Sequence, residues 1–380
     1  MSVNHQSDIN LLAKAWESTE MTMAAYAAKR HVPLGGTFEL TPRCNLKCKM
    51  CYVRLDRCEM DAIGRERTAK EWISLAEQAI EAGTLNLLIT GGEPLIRSDF
   101  EEIYTALTNM GFIIALNTNA TLMTSKLLKL FERYPPTATN VTLYGASRET
   151  YEKICGNPDG FDQTIRGLEM LSGVSTVLEV RTTFIKDNMY ELDELRSIAN
   201  RFTNRFAINT HVFKSTRSTE SDAESCRLSP KQRFNIIDDS IRYYENFNSG
   251  ISEPVEKNIE SDNFAHIKDY GFSLPPVALT CLAAKAMYWV TWDGKMLPCG
   301  SFSAPYTLPF ENGFKAAWDE LPELFMNICA PEECSKCEYS DGKCPNCPAM
   351  LQAETGEFDR ISPYLCETAK EMERRYGNKK

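Results

Sequence analysis

The chain has 380 residues, of which 43% are hydrophobic and 25% charged. This composition is typical of a globular protein with one large or two ordinary domains. The formal net charge of −10 disfavours a broad nucleic-acid-binding surface, because phosphate backbones require clustered Lys and Arg. No apolar run approaches the roughly 18–20 residues of a membrane span, and the amino-terminal residues lack the pattern of a signal peptide. We therefore expect a cytoplasmic protein that binds neither nucleic acid nor membrane.

The first two hundred residues predict an alternation of strands and helices. Residues 1–35 are expected to form a helical lead-in. In residues 36–213, six short β-branched or apolar runs alternate with helical stretches. The predicted strands are Thr37–Thr41, Leu85–Thr90, Ile113–Thr118, Asn140–Tyr144, Val177–Ile185 and Phe206–Val212. This alternation indicates parallel βαβ units in an open or closed α/β barrel, whose ligands bind at the carboxyl ends of the strands.

Capping signals and composition delimit the remaining elements. Thr68 with Glu71 predicts a capping box ahead of one helix, and Ser98 with Glu101 predicts a second. Residues 214–277 are expected to form a polar, helical connector. Residues 278–380 are rich in cysteine and end in a helix, so they predict a small metal-organised module rather than a second apolar core.

Cysteine is the unusual component, with 14 residues against only 4 His. A reducing compartment disfavours disulfides, so this excess indicates metal or redox chemistry. The spacing Cys44-x3-Cys48-x2-Cys51 can hold three corners of a cubane cluster, and no fourth cysteine follows at the ferredoxin spacing, which leaves one iron open. The alternatives are a zinc loop with a distant fourth ligand and a redox cysteine cluster. For the isolated Cys58, Cys155 and Cys226, burial as small hydrophobic side chains is the default expectation.

The cysteine loop, followed by Tyr52, resembles the signature of the radical S-adenosylmethionine (radical SAM) superfamily. The segment Ile89-Thr90-Gly91-Gly92-Glu93-Pro94 is similar to the superfamily's GGEP element. The resemblance implies a partial (β/α)6 TIM-like barrel with a [4Fe–4S] cluster whose open iron binds S-adenosylmethionine. Reductive cleavage then yields a 5′-deoxyadenosyl radical that abstracts hydrogen from a substrate. Two glycines allow close approach of the backbone to a ligand, and Glu93 is expected to face the ammonium group.

Further cofactor contacts are expected at the ends of later strands. They are Asn117 and Asn119 at the end of the third strand and Thr142, Tyr144 and Ser147 at the end of the fourth. Arg181, within the fifth strand, could pair with the methionyl carboxylate. Each has an alternative, because Asn and Ser also form turns and caps and Arg181 suits a structural ion pair. We expect His211 to be a hydrogen-bonded core histidine.

The carboxyl-terminal cysteines resemble the SPASM extension of radical SAM enzymes, which carries auxiliary [4Fe–4S] clusters. Here the central spacing is C-x2-C-x6-C-x2-C, one residue different from the usual pattern. The resemblance implies one cluster on Cys281, Cys299 and Cys347, and a second on Cys334, Cys337, Cys344 and Cys366. Cys329 could complete the first cluster, or that cluster could keep an open iron. One or two auxiliary clusters are therefore expected, with two favoured, and zinc is the alternative because paired CxxC motifs also bind zinc.

The resemblance implies a peptide substrate, because SPASM-bearing enzymes chiefly modify peptides and proteins. The expected reactions on a ribosomally made peptide are a thioether or carbon–carbon crosslink, or epimerisation, for which Cys226 could donate hydrogen. A small-molecule dehydrogenase or epimerase acting on a sugar or aminoglycoside is the alternative. A sulfatase-type maturase is less favoured, since Gly300 occupies the position of its Asp base. Expected partners are a flavodoxin or ferredoxin and a separate leader-binding protein, because few residues precede Cys44.

Overall fold

The chain folds around one mostly parallel sheet. The computed structural model describes residues 22–215, 217, 221–248, 281–340, 344 and 347–377, with only the backbone at 244–248. The strands are β1 Gly35–Glu39, β2 Asn86–Thr90, β3 Ile113–Thr118, β4 Ala138–Thr142, β5 Val177–Thr183, β6 Phe206–Asn209, β7 Met287–Val290 and β8 Met296–Leu297. In this part of the chain they form one sheet in the order β6-β5-β4-β3-β2-β1-β7-β8. Because β1 to β6 pair in parallel with their sequence neighbours, the predicted partial α/β barrel is confirmed.

Helices connect the parallel strands and cover the carboxyl-terminal region. They are α1 at 22–30, α2 Arg57–Ile63, α3 Ala69–Glu81, α4 Phe100–Asn109, α5 Ser125–Arg133, α6 Arg148–Cys155, α7 Asp159–Leu171, α8 Leu192–Ala199, α9 Ala223–Cys226, α10 Pro230–Asn248, α11 Pro309–Asn312, α12 Phe314–Glu320, α13 Glu332–Ser335, α14 Pro348–Thr355 and α15 Pro363–Tyr376. The expected lead-in helix at 1–35 lies within the described residues only from 22 onward. No helix in the described ranges is both long and apolar enough to cross a membrane.

The capping predictions divide into one that is confirmed and one that is wrong. The Thr68 side chain accepts from the Glu71 backbone and Glu71 caps Thr68 in return, so α3 begins as predicted. α4 instead begins after Asp99, and no side-chain hydrogen bond caps it. Asp99 binds Arg97, at 2.9 and 2.7 Å, and this ion pair replaces the predicted cap at Ser98.

The helices bury apolar faces against the outside of the sheet. Trp72, Leu75 and Ala79 of α3 are fully buried or nearly so, in agreement with their common helical face. The Trp72 ring lies 4.9 Å from Phe38 of β1, measured between centroids. The outer face of β1 is therefore fixed to α3, and its alternate residues face the inside of the barrel.

The carboxyl-terminal region joins the barrel sheet instead of packing as a separate module. β7 pairs in parallel with β1, with Gly35 opposite Met287 and Phe38 opposite Val290, and β8 pairs antiparallel with β7. Trp318 of α12 belongs to the same buried cluster as the barrel core. The expected six-strand barrel is thus extended by two strands from beyond residue 280, because the exposed edge of β1 offers unpaired backbone groups to β7.

Candidate active site

The amino-terminal cysteine loop lies directly after β1. Its turn is closed by the Cys51 amide, which donates to the Cys48 carbonyl at 3.0 Å. Backbone amides also point at sulfur: Leu46 N lies 3.4 Å from Cys44 Sγ, and Arg54 N lies 3.2 Å from Cys51 Sγ. Amide donors of this kind stabilise thiolates. The loop therefore has the features of a site for sulfur ligation, with three thiols close enough that the charge of Cys48 raises the pKa values of the other two, after burial as the main cause.

Side chains at the end of β3 hold this loop in place. Asn119 Nδ2 donates to Asn45 Oδ1 at 3.1 Å and lies 3.7 Å from Cys44 Sγ. Asn45 Nδ2 donates in turn to Thr121 Oγ1 at 2.7 Å. These contacts fix the position of the first cysteine from the neighbouring strand. Sequence analysis does not single out Asn45, because an Asn in a loop gives no signal that separates it from a turn residue.

The predicted Gly-Gly turn packs directly against the start of the cysteine loop. Gly92 N donates to Thr41 O at 2.7 Å, and Glu93 N donates to Arg43 O at 2.9 Å. A Cβ atom at Gly92 would lie 2.4 Å from Arg43 O, and one at Gly91 would lie 2.6 Å from Thr41 O. No side chain fits at either position, so the glycines are required for the two loops to meet.

Glu93 has a different environment from the predicted one. Its side chain is fully buried and accepts hydrogen bonds from Leu95 N at 3.0 Å, Thr118 Oγ1 at 2.8 Å and Asn119 N at 2.7 Å. Burial raises the pKa of this carboxyl to about 7, although the three donors oppose the change. Glu93 thus ties the β2 turn to the end of β3, and its carboxylate is directed into the protein instead of toward a ligand ammonium.

A cavity of about 380 Å³ opens at the carboxyl ends of the strands. Two of the three loop cysteines, the predicted Tyr52 and both glycines of the turn line it. Residues from the strand ends and from the carboxyl-terminal region complete the wall. The lining residues are Cys48, Met50, Cys51, Tyr52, Val53, Gly91, Gly92, Thr142, Tyr144, Thr183, Asn209, His211, Val212, Phe213, Lys214, Gly300, Ser301 and Ala353. The site therefore lies where parallel α/β folds bind ligands.

Three predicted cofactor contacts do not line this cavity. Asn117 accepts a hydrogen bond from Asn140 at 2.8 Å, and Ser147 caps α6 by accepting from the Thr150 amide. Arg181 is exposed and pairs with Glu179 at 2.5 Å, a partner two residues away on the same face of β5. Ser147 as a cap and Arg181 in an ion pair show the structural alternatives given for them. Asn117 forms neither a turn nor a cap, because it lies within β3 and bonds to Asn140 of β4.

Cys226 and Cys155 are both buried, in agreement with the default expectation for isolated cysteines, but their sulfur contacts differ. Cys226, the predicted hydrogen donor, is buried in α9, with its sulfur 3.6 Å from Ala223 O. It does not line the cavity, and its role as a hydrogen donor stays a prediction. Cys155, expected to be an isolated hydrophobic side chain, instead lies 3.6 Å from Cys48, measured between sulfurs. The hydrogen bond between them, together with burial, raises the pKa of the Cys48 thiol well above its ordinary value.

The first carboxyl-terminal cysteine set consists of thiols close enough for their charges to act on Cys299. Burial raises the pKa of the Cys299 thiol to about 12, and the charges of Cys347 and Cys281 act in the same direction. These are the three residues that the family resemblance assigns to one cluster. Gly300 and Ser301, which follow Cys299, line the cavity, so this set lies next to the cavity wall.

The second set also converges. Burial raises the pKa of the Cys334 thiol, with smaller contributions from the charges of Cys344, Cys366 and Cys337. Cys329 is exposed, and its sulfur lies near the Asn327 carbonyl, at 3.8 Å. Among the described residues, no group of three or more His, Cys, Asp or Glu side chains is arranged to hold a single metal ion.

An ion pair that sequence analysis missed joins two distant parts of the chain beside the cavity. Glu39, at the end of β1, is 1% exposed and lies 2.7 Å from Arg217. Its carboxylate also accepts from Trp289 Nε1 of β7 at 3.0 Å, and Arg217 donates to Gly300 O at 2.9 Å. Burial raises the pKa of Glu39. Neither residue belongs to a motif, and the two lie 178 residues apart in the chain, so only the folded structure reveals their contact.

The fold and the cysteine loop define a class, namely a partial-barrel α/β enzyme with a sulfur-ligand site at the mouth of the barrel. Residues 38–199 match the family model described as the radical SAM superfamily. The chain is 27% identical over 342 residues to an AdoMet-dependent heme synthase of Methanosarcina barkeri, covering 86% of this chain and 94% of that protein. It is 22% identical over 339 residues to a PqqA peptide cyclase of Rhizobium meliloti, covering 87% and 86%.

The fold agrees with a solved structure of the same class. Streptococcus suis SuiB superposes with a TM-score of 0.67 at 17% identity, covering 95% of this chain and 87% of that one. The predictions of a radical SAM domain and of an enzyme are confirmed. Residues 38–199 of this chain form a radical SAM domain.

Proposed function

We propose that the enzyme binds S-adenosylmethionine beside a [4Fe–4S] cluster held by Cys44, Cys48 and Cys51. This group supplies reductive cleavage of the sulfonium to a 5′-deoxyadenosyl radical that abstracts hydrogen from substrate. The observation that carries the proposal is the three-thiol loop, which has backbone donors to its sulfurs and packs against a side-chain-free Gly-Gly turn at one cavity. The turn provides close backbone approach for the ligand.

We further propose two auxiliary clusters in the carboxyl-terminal region. The convergence of Cys281, Cys299 and Cys347 supports the first, and that of Cys334, Cys337, Cys344 and Cys366 supports the second. Cys329 is outside both sets, which favours an open iron in the first cluster. Since the segment after Cys299 forms part of the cavity wall, this cluster would lie near the substrate.

The proposed substrate is a ribosomally made peptide, modified by a crosslink or by epimerisation in the cytoplasm. The peptide cyclase of Rhizobium meliloti, which is similar over most of both chains, supports this class. A flavodoxin or ferredoxin would supply the electron, and a separate protein would present the leader.

A small-molecule substrate is the second candidate, and one comparison favours it. The heme synthase of Methanosarcina barkeri is similar over 86% of this chain, so an iron porphyrin joins the sugar or aminoglycoside class as a substrate to test. Product analysis by mass spectrometry, with either a precursor peptide or an iron porphyrin added, distinguishes the two. The correct class raises 5′-deoxyadenosine formation above the uncoupled rate and yields a modified product.

The reaction itself is tested by anaerobic reconstitution with iron and sulfide, followed by dithionite and S-adenosylmethionine. Wild type should form 5′-deoxyadenosine, and Cys48→Ala should form none. Cys58→Ala is the matched control, because this thiol is exposed and outside the site. Cys334→Ala should retain uncoupled cleavage but lose iron. Equal turnover in wild type and Cys48→Ala would refute the assignment.

A further inference from the structure

Arg233 of α10 is a buried cation without a carboxylate partner. Its side chain is 1% exposed, and its Nη1 has no hydrogen-bond partner. Its Nε donates to Thr210 Oγ1 at 3.3 Å, and its Nη2 lies 2.7 Å from His211 Nε2. No carboxylate among the described residues forms an ion pair with it. A buried guanidinium left in this state is unfavourable, because the lost hydration is not replaced by a counter-charge.

The neighbouring Arg227, in contrast to Arg233, has its positive charge compensated by a carboxylate. Arg227 lies 2.5 Å from the buried carboxylate of Glu354, and its guanidinium stacks on the Tyr364 ring at 3.8 Å. Arg227 and Arg233 both lie close enough to Tyr364 to lower its pKa, against the larger effect of burial. Glu354 thus compensates the charge of Arg227, whereas no ion pair among the described residues compensates that of Arg233.

This excess charge lies directly behind the cavity wall. His211, the partner of Arg233, lines the cavity. Lys214 also lines it, but its charge is paired with Glu224 at 3.2 Å. The described residues that line the cavity include no Asp or Glu. We call His211, with Arg233 behind it, the basic wall. Its charge and its N–H donors are those that bind an oxyanion.

We propose that the basic wall binds a carboxylate group of the substrate, so that the substrate is an acid and not a neutral molecule. This inference rests on the proposed function and specifies its substrate class. Arg233 is a positioning residue in this scheme, because it acts through His211, which faces the cavity. A neutral side chain in place of Arg233 would be more favourable for the stability of the fold. Binding of a substrate carboxylate explains why a buried cation is kept at this position.

The carboxylate of S-adenosylmethionine is the other carboxylate that could bind the basic wall. The order of strands in the sheet argues against this assignment. The proposed cluster loop follows β1, and the Gly-Gly turn follows β2, whereas the basic wall follows β6. In the sheet, β6 is separated from β2 by three strands. A methionyl carboxylate held at the proposed cluster would lie beside the cysteine loop, so a group at the basic wall would belong to a second molecule.

The test uses anaerobic reconstituted enzyme, with glutarate and its neutral diamide glutaramide as probes at matched ionic strength. Unfolding temperature is measured for wild type, Arg233→Met and His211→Gln, with Arg227→Met as the matched control. Glutarate should raise the unfolding temperature of wild type through preferential binding to the folded state, with an apparent affinity at least about tenfold above that of glutaramide. This response should be lost in Arg233→Met and His211→Gln and kept in Arg227→Met.

The variants also separate charge compensation from structural support. Without probe, Arg233→Met should unfold at or above the wild-type temperature, because it removes an uncompensated cation. Arg227→Met leaves the buried carboxylate of Glu354 without its ion-pair partner, so this variant should unfold at a lower temperature than wild type. A fall of more than about 5 °C for Arg233→Met, or equal responses to glutarate and glutaramide, would overturn the proposal. So would a tenfold loss of S-adenosylmethionine affinity in this variant, since the anion would then be the cofactor's. Failure of the proposed function would appear separately, as absent 5′-deoxyadenosine in wild type.

Discussion

Replacing Glu93 by Gln should remove a pH dependence of stability that originates in one buried carboxyl. Glu93 is fully buried, and burial raises its pKa from the ordinary 4.5 to about 7. In the unfolded chain this carboxyl ionises near 4.5, whereas in the folded protein it keeps its proton up to about pH 7. The folded state therefore binds more protons than the unfolded state between these two values, and stability falls as the pH rises through them.

The size of the effect follows from the two pKa values. At about 1.4 kcal/mol per pKa unit, protonated Glu93 contributes roughly 3 kcal/mol that is fully present below pH 4.5 and lost by pH 7. The Gln side chain is neutral throughout, and its amide oxygen can still accept from Leu95 or Thr118. The Glu93→Gln variant will have a lower absolute stability, because its amide nitrogen faces the Asn119 amide donor. The informative quantity is therefore the slope of the unfolding free energy against pH.

The measurement is the free energy of unfolding from anaerobic urea titrations at several pH values between 4.5 and 8. All other groups titrate alike in both proteins, so the difference between wild type and Glu93→Gln isolates this carboxyl. Glu71→Gln is a control of opposite sign, because the hydrogen bond from Arg65 lowers the pKa of Glu71, and its contribution is lost as the pH falls. Parallel curves for wild type and Glu93→Gln would refute the burial argument.

Two further predictions concern the core and the cofactor contacts. Trp72→Ala should cost about 3–5 kcal/mol of unfolding free energy, because the ring packs against Phe38 and Phe310 at 4.9 and 5.3 Å. Denaturant titration checks this, with exposed Tyr190→Ala within about 0.5 kcal/mol of wild type; equal losses would contradict it. Arg181→Gln should leave S-adenosylmethionine affinity within about twofold of wild type, since Arg181 is exposed and paired with Glu179, whereas Gly92→Val should abolish binding. A calorimetric titration showing a large loss for Arg181→Gln would restore its role as a ligand contact.

The fold was predictable because local patterns and global topology agree. Alternating strands and helices impose a parallel sheet, and the six predicted strands differ from the observed ones mainly at their ends. The extension of the sheet by β7 was not predictable, because Met287–Val290 is a short apolar run whose partner, β1, lies far away in sequence. Local periodicity carries no information about which distant edge such a run will pair with.

The site shows the same division between motif and context. The cysteine loop and the Gly-Gly turn were predictable, since their residue types are required by ligation and by close backbone approach. Glu93 belongs to the same motif, yet its side chain points into the protein, because three hydrogen-bond donors bind its carboxylate there. Arg233 and His211 lie beside the cavity without any motif, and their roles depend on burial and charge balance that only the packed structure reveals.

The pairing of β7 with β1 has a consequence for biosynthesis. The first strand of the barrel leaves the ribosome with one open edge, and its eventual neighbour is translated roughly 250 residues later. Until then, the nascent chain displays unsatisfied backbone groups beside three reactive thiols, a combination prone to intermolecular association. Maturation of this enzyme should therefore depend on chaperone occupancy, and truncated chains that lack Met287–Val290 should accumulate as insoluble material.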